Sequence, residues 1–114
     1  MSLAFFPVEK VDAATIGPKP ISQHEPIYFE EAKLHGLKGY HIVEFLVETD
    51  GTTSEIEIVE SSPNDLFAAA VVRAVSYWEY DPMRVDGIAI QSRVRTRLDY
   101  ERKGWTIGET QVIE

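Results

Sequence analysis

The stretch of sequence that decides the fold is YHIVEFLVETDGTTSEIEIVESSP, residues 40–63. Two runs rich in β-branched and aromatic residues, 40–48 and 53–60, flank the dipeptide Asp50-Gly51. Asp-Gly between two such runs is typical of a tight turn of the primed type, whose twist matches that of the flanking strands. Residues 40–60 are therefore predicted to form an antiparallel hairpin.

A long helix is predicted directly after the hairpin. Ser62 offers an N-cap oxygen, Pro63 suits the first helical position, and Asp65 stands where a capping-box carboxylate belongs. Apolar residues then recur at steps of three and four, which produces a stripe that packs a helix against a sheet. The stripe consists of Phe67, Ala70, Val71, Ala74, Val75 and Trp78.

Two further elements complete the predicted fold. Residues 28–35 form a short helix that Gly36 stops, and residues 90–100 form a third strand. The core face of the sheet is predicted to carry every second residue of each strand: His41, Val43, Phe45 and Val47, then Ile56 and Ile58, then Val94, Thr96 and Leu98. The predicted fold class is α+β, in the order α-β-β-α-β, with a three-stranded antiparallel sheet and two helices packed on one face.

This arrangement resembles the C-terminal domain of the TonB family, the periplasmic energy transducers. The family pattern has a Pro-x-Tyr-Pro segment, a glycine before the first strand, a turn glycine, a Ser-Ser pair and a Trp-x-aromatic-x-Pro close. The matching residues are Pro26, Tyr28, Gly39, Gly51, Ser61, Ser62, Trp78, Tyr80 and Pro82. The resemblance covers residues 24–102 and departs from the pattern at Phe29, where the family has proline, and at His41, where it has an apolar residue.

The resemblance divides the chain into three parts. Residues 1–23 are interpreted as a leader and a linker, because the prolines of Gly17-Pro18-Lys19-Pro20 favour an extended chain. Residues 24–102 are the TonB-like domain, and residues 103–114 are a tail that either adds an extra strand or exchanges between subunits of a homodimer. Family members carry an N-terminal membrane helix, so the chain is either an excised domain or a soluble variant.

Composition excludes several other classes of function. The net charge of -8 repels nucleic acid. Cysteine is absent, which excludes thiolate nucleophiles and cysteine zinc sites. His24, His35 and His41 fit no zinc spacing, and no pattern points to a cofactor, so neither a metal nor a cofactor is expected.

Three arginines alternate along the third strand at Arg93, Arg95 and Arg97. One interpretation is a solvated face that blunts an exposed sheet edge and balances outward glutamates. The other follows from the resemblance, which implies that this last strand pairs with an extended segment of an outer-membrane receptor. The predicted partner-binding residues are then Arg93, Val94, Arg95, Thr96 and Arg97.

The resemblance implies a binding function and no catalysis. The expected function is that of a periplasmic domain, anchored to the inner membrane in the full-length protein, that contacts outer-membrane receptors by strand addition. Through a membrane helix not in this chain, the full-length protein would contact an inner-membrane motor complex. It would couple that complex to the uptake of iron chelates or vitamins. The alternative is a TonB-like interaction module for envelope assembly or signalling, and a small enzyme is a remote third, because no nucleophile, base and orienting group can be assembled.

Overall fold

The structure is a computed structural model that describes residues 14–113, so residues 1–13 of the predicted leader lie outside the described residues. The described chain has two helices, α1 (Glu30–Leu34) and α2 (Ala68–Val75). Its strands are β1 (Thr15–Ile16), β2 (Lys19–Ser22), β3 (Gly39–Val47), β4 (Thr53–Ser62), β5 (Glu79–Asp81), β6 (Met83–Val85), β7 (Ile88–Ile90), β8 (Ser92–Glu101), β9 (Gly104–Ile107) and β10 (Gln111–Val112).

A five-stranded antiparallel sheet forms the centre of the molecule. Its order is β10-β8-β3-β4, and β9 also pairs with β8. The predicted hairpin is confirmed as β3 and β4. The predicted tight primed turn is wrong, because residues 48–52 form a longer loop in which Gly51, and not Asp50, has positive φ. Gly51 has a φ of +88°, a conformation that residues with a Cβ rarely adopt, and its N–H donates to the carbonyl of Glu48 at 2.9 Å.

The predicted fold class is wrong. The structure is 50% strand and 14% helix, and its sheets have five, three and two strands, so a three-stranded sheet with two helices does not describe it. The small sheets are β1-β6-β7 and β2-β5. Their strands are two to four residues long, too short to show alternation. β1 and β2 form because residues distant in sequence, in β6 and β5, supply their partners.

Part of the predicted third strand belongs to a second hairpin. Ile88–Ile90 forms β7, which pairs with β6 around Asp86-Gly87. Both turn residues have positive φ, +53° and +81°, as a primed turn requires. The strand next to β3 therefore begins at Ser92. Lys19–Ser22, which lies in the segment interpreted as a linker, forms β2 and pairs with β5.

The predicted start of the long helix is also wrong. Ser61 and Ser62 remain in β4, opposite His41 and Tyr40, so pairing within the sheet prevails over the capping signal. The helix begins at Ala68. Just before it, the N–H of Phe67 donates to Nε2 of His41 at 3.3 Å, which satisfies one of the free donors at the helix start.

The core lies between the central sheet and the two helices. The predicted inward residues of β3 and β8 are all buried, and so are Phe67, Val71, Ala74, Val75 and Trp78 of the helical stripe. Ile56, Ile58 and Ala70 are partly buried against this cluster. The predicted short helix is confirmed as α1, which contributes Ala32 to the core, and Gly36 follows it with a φ of +63°.

Candidate functional site

β8 is paired along both of its edges. On one side it pairs with β3 from Gly39↔Tyr100 to Val47↔Ser92. On the other side β9 pairs with residues 98–101, and β10 pairs with Val94 and Arg95. The expectation that this strand ends the sheet is therefore wrong, because the C-terminal tail covers its outer edge. Partner binding by residues 93–97 stays a prediction.

The two tail strands are held very differently. In β9, the ring of Trp105 lies 5.1 Å from that of Phe67 and 5.5 Å from that of Tyr100, within an aromatic cluster of the core. β10 spans two residues, both exposed. Beside it, Ile113 donates its N–H to the carbonyl of Arg93 at 2.9 Å. The part of the β8 edge under β10 is thus the weakly covered part.

The arginines of β8 project from the solvent face of the sheet and are neutralised there. Arg95 donates two hydrogen bonds to Glu44, at 2.5 and 3.0 Å. Arg93 lies 3.7 Å from both Glu44 and Glu57. Arg97 bonds Asp99 at 2.6 Å and lies 3.8 Å over the ring of Tyr40. This geometry fits the interpretation in which the arginines balance outward glutamates.

A group of buried hydroxyls lies beneath the same edge. The Tyr80 hydroxyl lies 2.7 Å from Oγ1 of Thr110, and Thr96 donates to the same Oγ1 at 3.4 Å. Nε2 of Gln23 donates to the Tyr80 hydroxyl at 3.2 Å. Burial raises the pKa of Tyr80, so its proton stays in place at neutral pH. Thr96, predicted as a site residue, joins this group, whereas sequence reasoning missed Gln23 and Thr110.

The opposite edge of the sheet is poorly suited to a partner strand. No strand of residues 14–113 pairs with the outer edge of β4. The register of β4 against β3 shifts twice, and Glu55 has a φ of +48°. Irregularities of this kind and exposed charges, here Glu55, Glu57 and Glu60, are the usual ways to protect an edge.

The motif residues that carry the resemblance have structural roles. An added Cβ at Gly39 would lie 2.2 Å from the carbonyl of Ser62, and one at Gly51 would lie 2.1 Å from the carbonyl of Tyr80. Trp78 is buried and donates its indole N–H to the carbonyl of His24 at 2.8 Å. Ser61 bonds the His41 ring at 2.8 Å. Among the other motif residues, Pro26 and Pro82 are buried, and Tyr28 donates to the carbonyl of Glu101 at 2.5 Å.

Neither a metal site nor a membrane span is found in the described part of the chain. Residues 14–113 contain no group of three or more His, Cys, Asp or Glu side chains placed to hold a metal ion. None of the helices in that range is long and apolar enough to cross a membrane.

Comparison with known proteins gives one family. The family model of the Gram-negative bacterial TonB protein C-terminal matches residues 24–101. Protein TonB of Pseudomonas aeruginosa is 32% identical over 80 residues, which are 70% of this chain and 23% of that protein. Protein TonB of Escherichia coli is 29% identical over 72 residues, 63% of this chain and 30% of that protein. The chain thus spans less than a third of either relative.

A solved structure agrees with the sequence comparison. The solution NMR structure of the Pseudomonas aeruginosa TonB CTD superposes with a TM-score of 0.60 at 25% identity. The match covers 81% of this chain and 85% of that one. Since the family model also spans more than half of the sequence, the chain belongs to the TonB C-terminal domain family.

Proposed function

We propose that this chain is the periplasmic, partner-binding domain of a TonB-like energy transducer. It binds an extended segment of an outer-membrane receptor by strand addition to β8. A membrane helix outside this chain anchors the full-length protein in the inner membrane, where a motor complex driven by the proton gradient acts on it. The binding supports uptake of iron chelates or vitamins. Family membership supports the transducer role.

One observation carries the proposed binding mode: a strand of two exposed residues covers the N-terminal half of the β8 edge, at Val94 and Arg95. A receptor segment of five or six residues forms more backbone hydrogen bonds there than β10 does, so it can take the place of β10. β9 stays, because Trp105 fixes it to the core. The irregular, glutamate-lined edge of β4 is the weaker candidate.

The interface of such a segment is small. A short strand buries an area at the low end of the range found for specific protein interfaces. The dissociation constant should therefore be near micromolar, which corresponds to a binding free energy of about -8 kcal/mol. Displacement of β10 lowers the observed affinity further, since part of the binding energy is used to open the edge.

A second candidate function is a TonB-like module for envelope assembly or signalling. Phe29 stands where the family pattern has proline, is 44% exposed, and stacks on Phe67 with ring centroids 4.9 Å apart. An exposed aromatic ring at a motif position favours a partner different from a transport receptor. Titration with segments of both kinds of partner separates the two functions.

The test of strand addition is a proline substitution at Arg95. The carbonyls of Arg93 and Arg97 accept bonds from the tail, and backbone groups alternate along a strand, so the N–H of Arg95 also faces the tail edge. Arg95→Pro removes this donor and Arg95→Ala keeps it, while both lose the ion pair with Glu44. Isothermal titration with receptor-derived peptides should show at least about a tenfold weaker affinity for the proline variant alone. Equal affinities of two folded variants would rule out strand addition at this edge.

A further inference from the structure

We propose that Tyr80 and Thr96 form a side-chain subsite at the β8 edge that selects partner segments carrying serine or threonine. Thr110 of the tail occupies this subsite in the present structure. The inference rests on the strand addition proposed above and specifies the chemistry of the partner. The proposed ligand is an extended peptide with a hydroxyl side chain at the position that Thr110 holds.

The direction of the hydrogen bonds defines what the subsite accepts. Gln23 donates to the Tyr80 oxygen, so the Tyr80 hydroxyl is free to donate its own proton to Oγ1 of Thr110, 2.7 Å away. The Thr96 hydroxyl donates to the same oxygen at 3.4 Å. In this arrangement Oγ1 of Thr110 accepts from both hydroxyls, and an aliphatic side chain cannot replace it.

Burial makes this acceptor important. Tyr80 and Thr96 are 2% and 1% exposed, so water does not reach their hydroxyls while a segment occupies the edge. A partner with valine or alanine at this position would leave at least one of these two buried hydroxyls without an acceptor, since Tyr80 and Thr96 could then bond only to each other in place of Thr110. A partner with serine or threonine would restore the acceptor, and the subsite therefore discriminates between otherwise similar segments.

The pairing of the tail with β8 indicates which positions of a partner segment would lie on the same face as its hydroxyl residue. Gln111 pairs with Arg95 and Val112 with Val94, and this register places Thr110 opposite Thr96. Residues two apart on a strand share a face, so Thr110 and Val112 both lie over the core side of β8. Val112 is 45% exposed, so the position two residues from the hydroxyl adds little to selection, and the preferred segment is defined by its hydroxyl residue.

The experiment uses the chain's own tail as a peptide probe. The full chain carries Ile113→Pro, which removes the N–H bonded to the carbonyl of Arg93 and so loosens β10. The probes are a peptide of residues 108–114, GETQVIE, and the same peptide with valine in place of threonine. Each peptide is titrated against the Ile113→Pro variant and against the same variant that also carries Tyr80→Phe. The matched control is Tyr77→Phe in the same background, because Tyr77 is 60% exposed.

The threonine peptide should bind about fivefold to tenfold more tightly than the valine peptide when Tyr80 is present. Tyr80→Phe should reduce this ratio to about twofold, and Tyr77→Phe should leave it unchanged. Equal binding of the two peptides would overturn the subsite and leave strand addition standing. Binding of neither peptide to the folded variant would overturn strand addition at this edge, and the subsite with it.

Hydrogen exchange of the chain itself tests the subsite without an added peptide and without the Ile113→Pro substitution. Thr110→Val should speed hydrogen exchange of the Ile113 amide about fivefold, because the tail loses its anchor. Tyr80→Phe should have a similar effect, and the double variant should exchange little faster than either single variant. Effects that multiply in the double variant would show that the two side chains act separately, against the proposal.

Discussion

At the scale of single residues, Trp78 is the largest fully buried side chain in the described part of the molecule. It is 1% exposed, its ring lies 5.9 Å from that of Phe45 in an edge-to-face arrangement, and its indole N–H bonds the carbonyl of His24. Trp78→Ala should lower the free energy of unfolding by about 3 to 5 kcal/mol, through lost packing and the cavity that remains. Chemical denaturation measures this change. Tyr77→Ala, at the exposed neighbouring position, should change stability by less than about 1 kcal/mol.

His41 makes the stability of the domain depend on pH. It is fully buried, Nδ1 bonds Ser61 and Nε2 accepts from the N–H of Phe67. Burial lowers the pKa of His41 below 6.5, although the nearby Asp65 carboxylate opposes this shift. Below pH 6.5 the unfolded chain therefore binds more protons than the folded chain, and the free energy of unfolding should decrease as the pH falls until the folded-state pKa is passed.

Denaturation at a series of pH values tests the role of His41. His41→Leu should reduce the slope of unfolding free energy against pH between about 5 and 6.5, whatever its effect on absolute stability. His35→Leu, at an exposed position, is the control and should leave the slope unchanged. An identical slope in all three proteins would mean that other groups cause the pH dependence.

At the scale of elements, the β3–β4 hairpin depends on close approach of its turn to another segment. The carbonyl of Gly51 accepts from the N–H of Tyr80 at 2.9 Å. A Cβ at Gly51 would lie 2.1 Å from the Tyr80 carbonyl, in addition to the cost of positive φ. Gly51→Ala should destabilise the domain by more than about 2 kcal/mol.

Gly87 provides the matched control for Gly51. It has a φ of +81°, and an added Cβ would meet nothing within 4 Å. Gly87→Ala should therefore show the conformational cost alone, about 1 kcal/mol. Comparable losses in thermal or chemical denaturation of the two variants would show that the contact with Tyr80 adds little.

The arginines of β8 test whether charge contributes to binding. If they attract an acidic receptor segment, affinity should fall as salt rises, because exposed charges are screened over about 8 Å at physiological ionic strength. Arg93→Glu and Arg97→Glu should mimic this loss in titrations at two ionic strengths. Arg73→Glu, on α2, is the control. If affinity changes neither with salt nor with either substitution, the arginines serve only to balance the charges of Glu44, Glu57 and Asp99.

The sequence predicts the elements that have strong periodicity. The alternation in β3 and β8 and the helical stripe from Phe67 to Trp78 identify their buried faces, because each pattern repeats over many residues. The capping signal at Ser62 misleads, since the register of β4 holds that residue in the sheet. Local sequence patterns therefore predict an element correctly where they agree with the pairing of segments that are distant in sequence.

At the scale of the whole molecule, the parts that sequence reasoning missed are those fixed by distant pairing. β2 contains Pro20, which is tolerated because β2 pairs on one side with β5. β10 has two residues and no pattern of its own. The sequence leaves open whether the tail adds a strand, and the structure shows that it adds two along the outer edge of β8. Partner binding by residues 93–97 stays a prediction. The polar Thr96, between Val94 and Leu98 on a buried face, was the sequence signal for the hydroxyl group beneath that edge.

Hydrogen exchange in the presence of a receptor-derived peptide tests the central claim most directly. In the free protein the amide of Ile113 bonds the carbonyl of Arg93, and that of Gly108 bonds the carbonyl of Arg97. With peptide bound, the Ile113 amide should exchange faster, because β10 leaves, while amides of β8 and β9 stay protected. Unchanged exchange at Ile113 under saturating peptide, with new protection along β4, would contradict strand addition at β8.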